Sequence, residues 1–156
     1  MTTVSKTRQL AACAGLSIAL AISSSASAHD SHAAYSAGEP GDPKKPSRDI
    51  AVEMTEMKYY PASIEVKRGE QIRFVIRNTG ALDHEFLIAT TAENLKHAEA
   101  MRKNPDMEHD EPNGVKLAPA KSGVVVWKFT RRGTFEYSCL IPDHRQTGMI
   151  GRIVVK

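Results

Sequence analysis

Three side chains that bind metals stand at equal intervals near the C-terminal end of the chain: Cys139, His144 and Met149. A fourth, His84, lies far upstream in the sequence. A thiolate, two imidazoles and a weak thioether suit a mononuclear copper that changes oxidation state, because soft sulfur favours Cu(I) while imidazole also accepts Cu(II). These four residues are therefore predicted to form one copper site.

Residues 1–28 have the pattern of a secretory signal peptide. Lys6 and Arg8 precede an apolar run over residues 10–22, and the small residues Ala26 to Ala28 follow as a cleavage site. The apolar run is too short to span a bilayer. We therefore expect export to the periplasm, a mature chain that begins at His29, and no membrane insertion after cleavage.

Removal of this leader changes the meaning of the cysteines. Cleavage would take away Cys13 and leave Cys139 as the single thiol of an exported protein, so no intramolecular disulfide could form. Such a thiol is either an inert buried side chain or a metal ligand. The three other well-placed donors favour the ligand.

The charge balance gives no sign of a nucleic-acid or membrane partner. The leader contains two of the 21 basic residues and none of the 18 acidic ones, which leaves a nearly neutral mature chain. No basic block with interleaved aromatic residues is present. We expect neither kind of partner, and we expect a monomer.

The rest of the chain divides into an arm and one domain. Residues 29–48 are rich in Ser, Ala, Gly, Pro and charge, with little to bury, and are predicted to be a flexible arm. Residues 49–156 are long enough for a single core.

Within this domain the hydrophobic period is mostly two, which is typical of half-buried strands. The alternating runs lie at residues 50–54, 64–66, 72–76, 124–129, 135–139 and 149–155. Together they predict an all-β, antiparallel sandwich. One insertion differs: Thr90 to Glu93 forms a capping-box pattern before a short helix that ends at Lys103, and residues 104–122 are predicted to be an irregular surface loop.

Strand parity indicates where the donors point. Cys139 falls on the same face as Tyr137, and Met149 on the same face as Ile153, so both sulfurs are expected to face the core. His84 lies too far away in sequence to be held by the C-terminal loop. A different strand must deliver it, so the folded sandwich is expected to set its distance from the thiolate.

The C-terminal segment resembles the copper loop of the cupredoxins. It reads Tyr-Ser-Cys-Leu-Ile-Pro-Asp-His from Tyr137 to His144, then Gly-Met-Ile-Gly from Gly148 to Gly151, before an apolar strand. The domain as a whole is similar to periplasmic copper-tolerance cupredoxins. The resemblance implies a Greek-key β-sandwich, one type 1 copper, and outer-sphere electron transfer through the edge of His144.

The sequence departs from this family after the first histidine. Many cupredoxins have an asparagine there, which ties the two ligand loops together, whereas this chain has Glu85. We expect the tie to be made differently here.

Additional copper binding is left open for six other residues. These are His29, His32, His97, Met101, Met107 and His109. A solvated tail, plain exposure or side-chain packing explains the same residues, and these interpretations are favoured.

Three functions remain in competition. The first is an exported carrier of single electrons between protein redox partners, and the second is a copper-tolerance protein that binds or sequesters excess copper. The third, a copper oxidase or reductase, needs further copper ligands that one domain with few spare histidines does not offer. We therefore expect no enzymatic activity.

Overall fold

The computed structural model describes residues 1–2, 35–104 and 111–156, and within residues 35–156 it forms a sandwich of two five-stranded sheets with one helix. The elements, in chain order, are β1 (Glu39–Pro40), β2 (Arg48–Thr55), β3 (Lys58–Tyr60), β4 (Ser63–Val66), β5 (Gln71–Asn78), β6 (His84–Ala89), α1 (Thr91–Lys103), β7 (Gly114–Leu117), β8 (Ser122–Lys128), β9 (Gly133–Ser138) and β10 (Ile150–Val155). The all-β class with one short helix is confirmed.

Apart from its first two residues, the predicted signal peptide lies outside the described residues, as do His29, His32, Met107 and His109. Among the described residues, no helix combines the length and the apolar character needed to cross a membrane.

The strand order differs from a purely antiparallel sandwich. One sheet has the order β1-β8-β5-β2-β3 and the other β4-β10-β9-β6-β7. β2 runs parallel to β5, and β4 runs parallel to β10. After β2 the chain forms β3 in the same sheet, crosses to the opposite sheet as β4, and then returns to the first sheet as β5. This excursion is the crossover connection that parallel neighbours require. Alternation of apolar residues does not encode strand direction, so the sequence pattern missed these pairs.

The core lies between the sheets and continues to the predicted copper ligands. Phe74, Trp127 and Tyr137 are fully buried, as the two-residue period predicts. The ring centroids of Tyr59 and Tyr137 lie 5.0 Å apart in an edge-to-face contact, and the same hydrophobic cluster includes Cys139. Each such side chain contributes roughly 1.5–3 kcal/mol of burial free energy. The ligand loop therefore packs against a buried aromatic cluster that includes Tyr59 and Tyr137.

The helix begins as predicted. Thr90 is the N-cap, its hydroxyl accepts the backbone N–H of Glu93, and the Glu93 carboxylate accepts the Thr90 backbone N–H in return. α1 contacts β6 and β9. All six residues of β6 are buried, so both faces of this strand are covered.

The segment after the helix is more regular than predicted. Residues 114–117 form β7, which pairs antiparallel with β6 from His84↔Leu117 to Leu87↔Gly114. The expectation of an irregular loop over residues 104–122 is therefore wrong for this strand. Four residues at a sheet edge are too few to give a sustained hydrophobic period.

The predicted flexible arm also differs from the structure over residues 35–48. Ala37 is buried, Glu39 and Pro40 pair with β8, and the side-chain amide of Gln71 donates to the carbonyls of Asp42 and Lys45. In these contacts residues 35–48 contribute backbone groups and the small side chain of Ala37. A polar, glycine-rich composition does not predict such contacts.

Candidate metal centre

Three strands of one sheet bring the predicted ligands together. His84 opens β6, Cys139 follows β9 directly, and Met149 directly precedes β10. β9 lies between β6 and β10, and its last residue, Ser138, pairs with both neighbours. His144 belongs to the loop between β9 and β10. The four residues therefore meet at one end of the sandwich.

Three of the four donors converge in a buried cluster. The Nδ1 atoms of His84 and His144 lie 3.3 Å apart, and Sγ of Cys139 lies 3.2 Å from Nδ1 of His144. The donor atoms of all three residues lie within 4.8 Å of one another. His84 and Cys139 have no exposed surface, and His144 is 8% exposed. In the described part of the chain, this is the one group of three or more His, Cys, Asp or Glu side chains close enough to share a metal ion.

Met149 is placed by its backbone at the same loop. Its N–H donates to the carbonyl of His144 at 3.1 Å, and its carbonyl accepts the N–H of Cys139 at 3.3 Å. The side chain is fully buried within the hydrophobic core. Its role as the weak fourth ligand remains a prediction.

Glu85 makes the tie between the two ligand segments. Its carboxylate Oε2 accepts the backbone N–H of Leu140 at 3.1 Å, and its own backbone N–H points to Sγ of Cys139 at 3.4 Å. The hydroxyl of Tyr59 donates to the backbone carbonyl of Glu85. The tie is thus made from the position that asparagine holds in many cupredoxins, with a carboxylate oxygen as the acceptor.

Burial sets the protonation of the cluster in the absence of metal. It raises the pKa of the Cys139 thiol to about 12, against the opposing effect of the N–H groups of Glu85 and Ile141. Burial, followed by the nearby imidazole of His144, lowers the pKa of His84. A neutral thiol and a neutral imidazole are the resting forms, and a metal ion would take the place of the thiol proton.

The donor chemistry fits copper. One sulfur and two imidazole nitrogens converge within 4.8 Å, and a buried thioether belongs to the same loop. Soft sulfur with imidazole is the set that accepts both copper oxidation states. His84, Cys139 and His144 are the residues that would hold the ion.

Two acidic side chains next to the cluster do not follow from the sequence pattern. Oε1 of Glu56 lies 3.8 Å from Nε2 of His84. Glu136 on β9 pairs with Arg145 of the ligand loop at 2.7 Å, and both side chains are 15% exposed. Neither carboxylate has a motif or a sequence spacing that relates it to the ligands.

The other described donors lie apart from this cluster. Met101 packs into the domain from α1, and His97 is partly exposed on the same helix. Met54, at the end of the predicted strand over residues 50–54, and Tyr59 are core residues.

A comparison of the sequence with known families decides the family of this chain. The family description "copper binding proteins, plastocyanin/azurin family" matches residues 47–156. This chain belongs to that family. The cupredoxin fold and the copper cofactor predicted from sequence are therefore confirmed.

Relatives of this cupredoxin carry the name copper-resistant cuproprotein CopI. The protein of Rubrivivax gelatinosus is 47% identical over 113 residues, which cover 72% of this chain and 68% of that protein. The protein of Pseudomonas aeruginosa is 33% identical over 139 residues, and the match covers 70% of this chain and 77% of that protein.

The fold of this cupredoxin is similar to that of auracyanin B. The TM-score is 0.63 at 20% identity, and the alignment covers 76% of this chain and 96% of auracyanin B. At this level of identity the similarity concerns the fold alone.

Proposed function

We propose that this cupredoxin is an exported type 1 copper protein that carries single electrons between protein redox partners in the periplasm. The observation that carries the proposal is the convergence of the His84, Cys139 and His144 donors within 4.8 Å in a buried pocket. Copper bound there supplies a one-electron change between Cu(I) and Cu(II). Met149 would be the weak fourth ligand, and the protein acts as a carrier without catalysing a reaction of its own.

A rigid cage supports the carrier function. The ligand loop is closed by its own hydrogen bonds, from the N–H of Cys139 to Met149 and from the N–H of Met149 to His144. Glu85 holds this loop against the strand that carries His84. Because the donors are already close without a metal, little rearrangement accompanies a change of copper charge.

His144 is the proposed route for the electron. It is 8% exposed, whereas His84 and Cys139 have no exposed surface. An electron that enters or leaves at the edge of this imidazole travels the least distance through protein.

The test is to add Cu(II) to the purified apoprotein and record visible and EPR spectra. We expect an intense thiolate-to-copper band in the wild type and its loss in Cys139→Ser. His97→Ala is the matched control, since it removes an imidazole outside the cluster, and it should keep the band. A wild type without the band, or a Cys139→Ser variant that retains it, contradicts the proposal.

A second function, tolerance of excess copper by binding or sequestering it, is favoured by a separate observation. Two relatives at 47% and 33% identity are named copper-resistant cuproproteins. Copper stoichiometry separates the functions: one tightly bound copper per chain favours the carrier, whereas additional coppers that are lost on substitution of His29, His32, His97 or His109 favour tolerance.

A further inference from the structure

The far nitrogen of His84 has an unusual environment. The His84 side chain is fully buried, and its Nδ1 atom faces His144. Nε2 is also buried and has no hydrogen-bond partner within the described residues. A neutral imidazole that binds a metal through Nδ1 carries its proton on Nε2, so this buried N–H needs an acceptor.

Glu56 is the acidic group next to this nitrogen. It lies in the turn between β2 and β3, and its Oε1 atom is 3.8 Å from Nε2 of His84. A movement of about 1 Å would bring the two atoms to hydrogen-bond distance. Metal-bound histidines commonly donate their second N–H to a carboxylate, which fixes the ring and strengthens it as a ligand.

The chain holds this carboxylate in place before any metal binds. Oε1 of Glu56 accepts the backbone N–H of Ala81 and, at 3.2 Å, that of Leu82. Both amides belong to the segment that leads into His84. Hydrogen bonds from backbone N–H groups favour the charged form of a carboxylate, so these two contacts hold a negative charge beside His84.

Gly80 leaves the space that the carboxylate occupies. A Cβ atom at this position would lie 2.5 Å from Oε1 of Glu56. The turn residue Glu56, the glycine and the two backbone amides therefore form one arrangement directed at His84.

We propose that Glu56 is a positioning residue for the copper site: its carboxylate accepts the Nε2–H of His84 and favours Cu(II) over Cu(I). A fixed negative charge near the ligand stabilises the more highly charged ion more strongly. The inference rests on the proposed copper function. Glu56 lies outside the ligand set but sets the balance between the two oxidation states of the copper.

The experiment compares the Cu(II) and Cu(I) affinities of the full chain by competition with chelators, together with the reduction potential. Glu56→Gln removes the charge but keeps an acceptor for the two amides. We expect the ratio of Cu(II) to Cu(I) affinity to fall about tenfold. For one electron this corresponds to a rise of about 59 mV in the potential.

Two further variants separate this contact from a general effect of charge. Glu53→Gln is the matched control, because Glu53 lies on β2 just before the turn that contains Glu56, and its carboxylate accepts the hydroxyl of Thr79 at 2.7 Å. Gly80→Ala keeps every charge but displaces the Glu56 carboxylate, so it should shift the ratio in the same direction as Glu56→Gln. Gly80→Ala also tests the contact if Glu56→Gln fails to fold.

The outcomes distinguish this inference from the proposed function. Shifts in Glu56→Gln and Gly80→Ala, without a shift in Glu53→Gln, support the role of Glu56. A copper-binding protein whose affinity ratio is unchanged in Glu56→Gln, or in Gly80→Ala where Glu56→Gln does not fold, overturns that role and leaves the copper function intact. A wild type that binds no copper overturns both.

Discussion

At the level of single residues, Glu85 decides how the ligands are held. Its backbone N–H points to the Cys139 sulfur, and its carboxylate accepts the N–H of Leu140, which follows that cysteine. Glu85 is 8% exposed, so the Leu140 amide has little access to water as a substitute partner. A buried donor without a partner costs about 1–3 kcal/mol.

Glu85→Ala should therefore lower the free energy of unfolding of the apoprotein by about 1–3 kcal/mol. Glu85→Gln keeps an acceptor and should lose less than half as much. Urea unfolding of the apoproteins measures both. Glu65→Gln is the control, because it disrupts an exposed pair with Lys156 that is worth at most about 1 kcal/mol. Equal losses in Glu85→Ala and Glu85→Gln would show that the Leu140 hydrogen bond is not responsible.

At the level of elements, a polar network joins the ligand loop to the inserted helix. Arg145, next to a predicted ligand, pairs with Glu136 on β9 at 2.7 Å, and Thr91 at the start of α1 donates to the same carboxylate. Burial raises the pKa of Glu136, but the hydrogen bonds from Arg145 and Thr91 outweigh it and hold the pKa below its ordinary value. The helix thus stabilises the loop without contributing a ligand.

Arg145→Ala should destabilise the domain by about 1.5–3 kcal/mol at neutral pH, since a hydrogen bond between charged groups is lost at a largely buried site. A carboxylate with a lowered pKa stabilises the fold above its ordinary value of 4.5, and that contribution disappears as the pH falls through the lowered value. The difference between Arg145→Ala and wild type should therefore shrink in acid. Urea unfolding at pH 7 and below pH 4 measures this.

The matched control for the loop network is Arg73→Ala. Arg73 pairs with Asp49 on the outer face of the sandwich, where both side chains are more than 40% exposed. Its loss should cost at most about 1 kcal/mol. If Arg145→Ala costs no more than Arg73→Ala, the network does not hold the loop.

At the level of the whole molecule, the copper site and the core are one structure. A single hydrophobic cluster contains Cys139, Met149 and the buried aromatic residues Tyr59 and Tyr137. His84 comes from a strand whose six residues are all buried. An ion held by donors from separate strands binds the folded state in preference to the unfolded one. Copper binding should consequently stabilise the entire domain.

Copper at a free concentration 100 times its dissociation constant should stabilise the fold by about 2.7 kcal/mol. Thermal unfolding with and without Cu(I), added without oxygen, measures the effect, and a chelator should reverse it. Cys139→Ser should lose most of the shift, whereas His97→Ala should retain it. An undiminished shift in Cys139→Ser would place the stabilising copper elsewhere.

The strand positions and the ligand candidates could be predicted because each follows from a local pattern. The period of two located the buried residues of β5, β8, β9 and β10, and the capping box located the start of α1. β1, β3 and β7 were missed because their pairing depends on backbone hydrogen bonds at sheet edges, to which short segments of almost any composition can contribute.

The sequence by itself determined the donor types and their spacing in the C-terminal loop. Bringing these donors together costs little conformational entropy, because the loop that joins them is short. It also determined that Cys139 and Met149 face the core, because side chains alternate along strands. The tertiary structure alone decided the distance from His84 to Cys139, the use of Glu85 as the tie, and the approach of Glu56 to His84. Each of these contacts joins segments that are distant in sequence, and their separation is set by how the sheets pack.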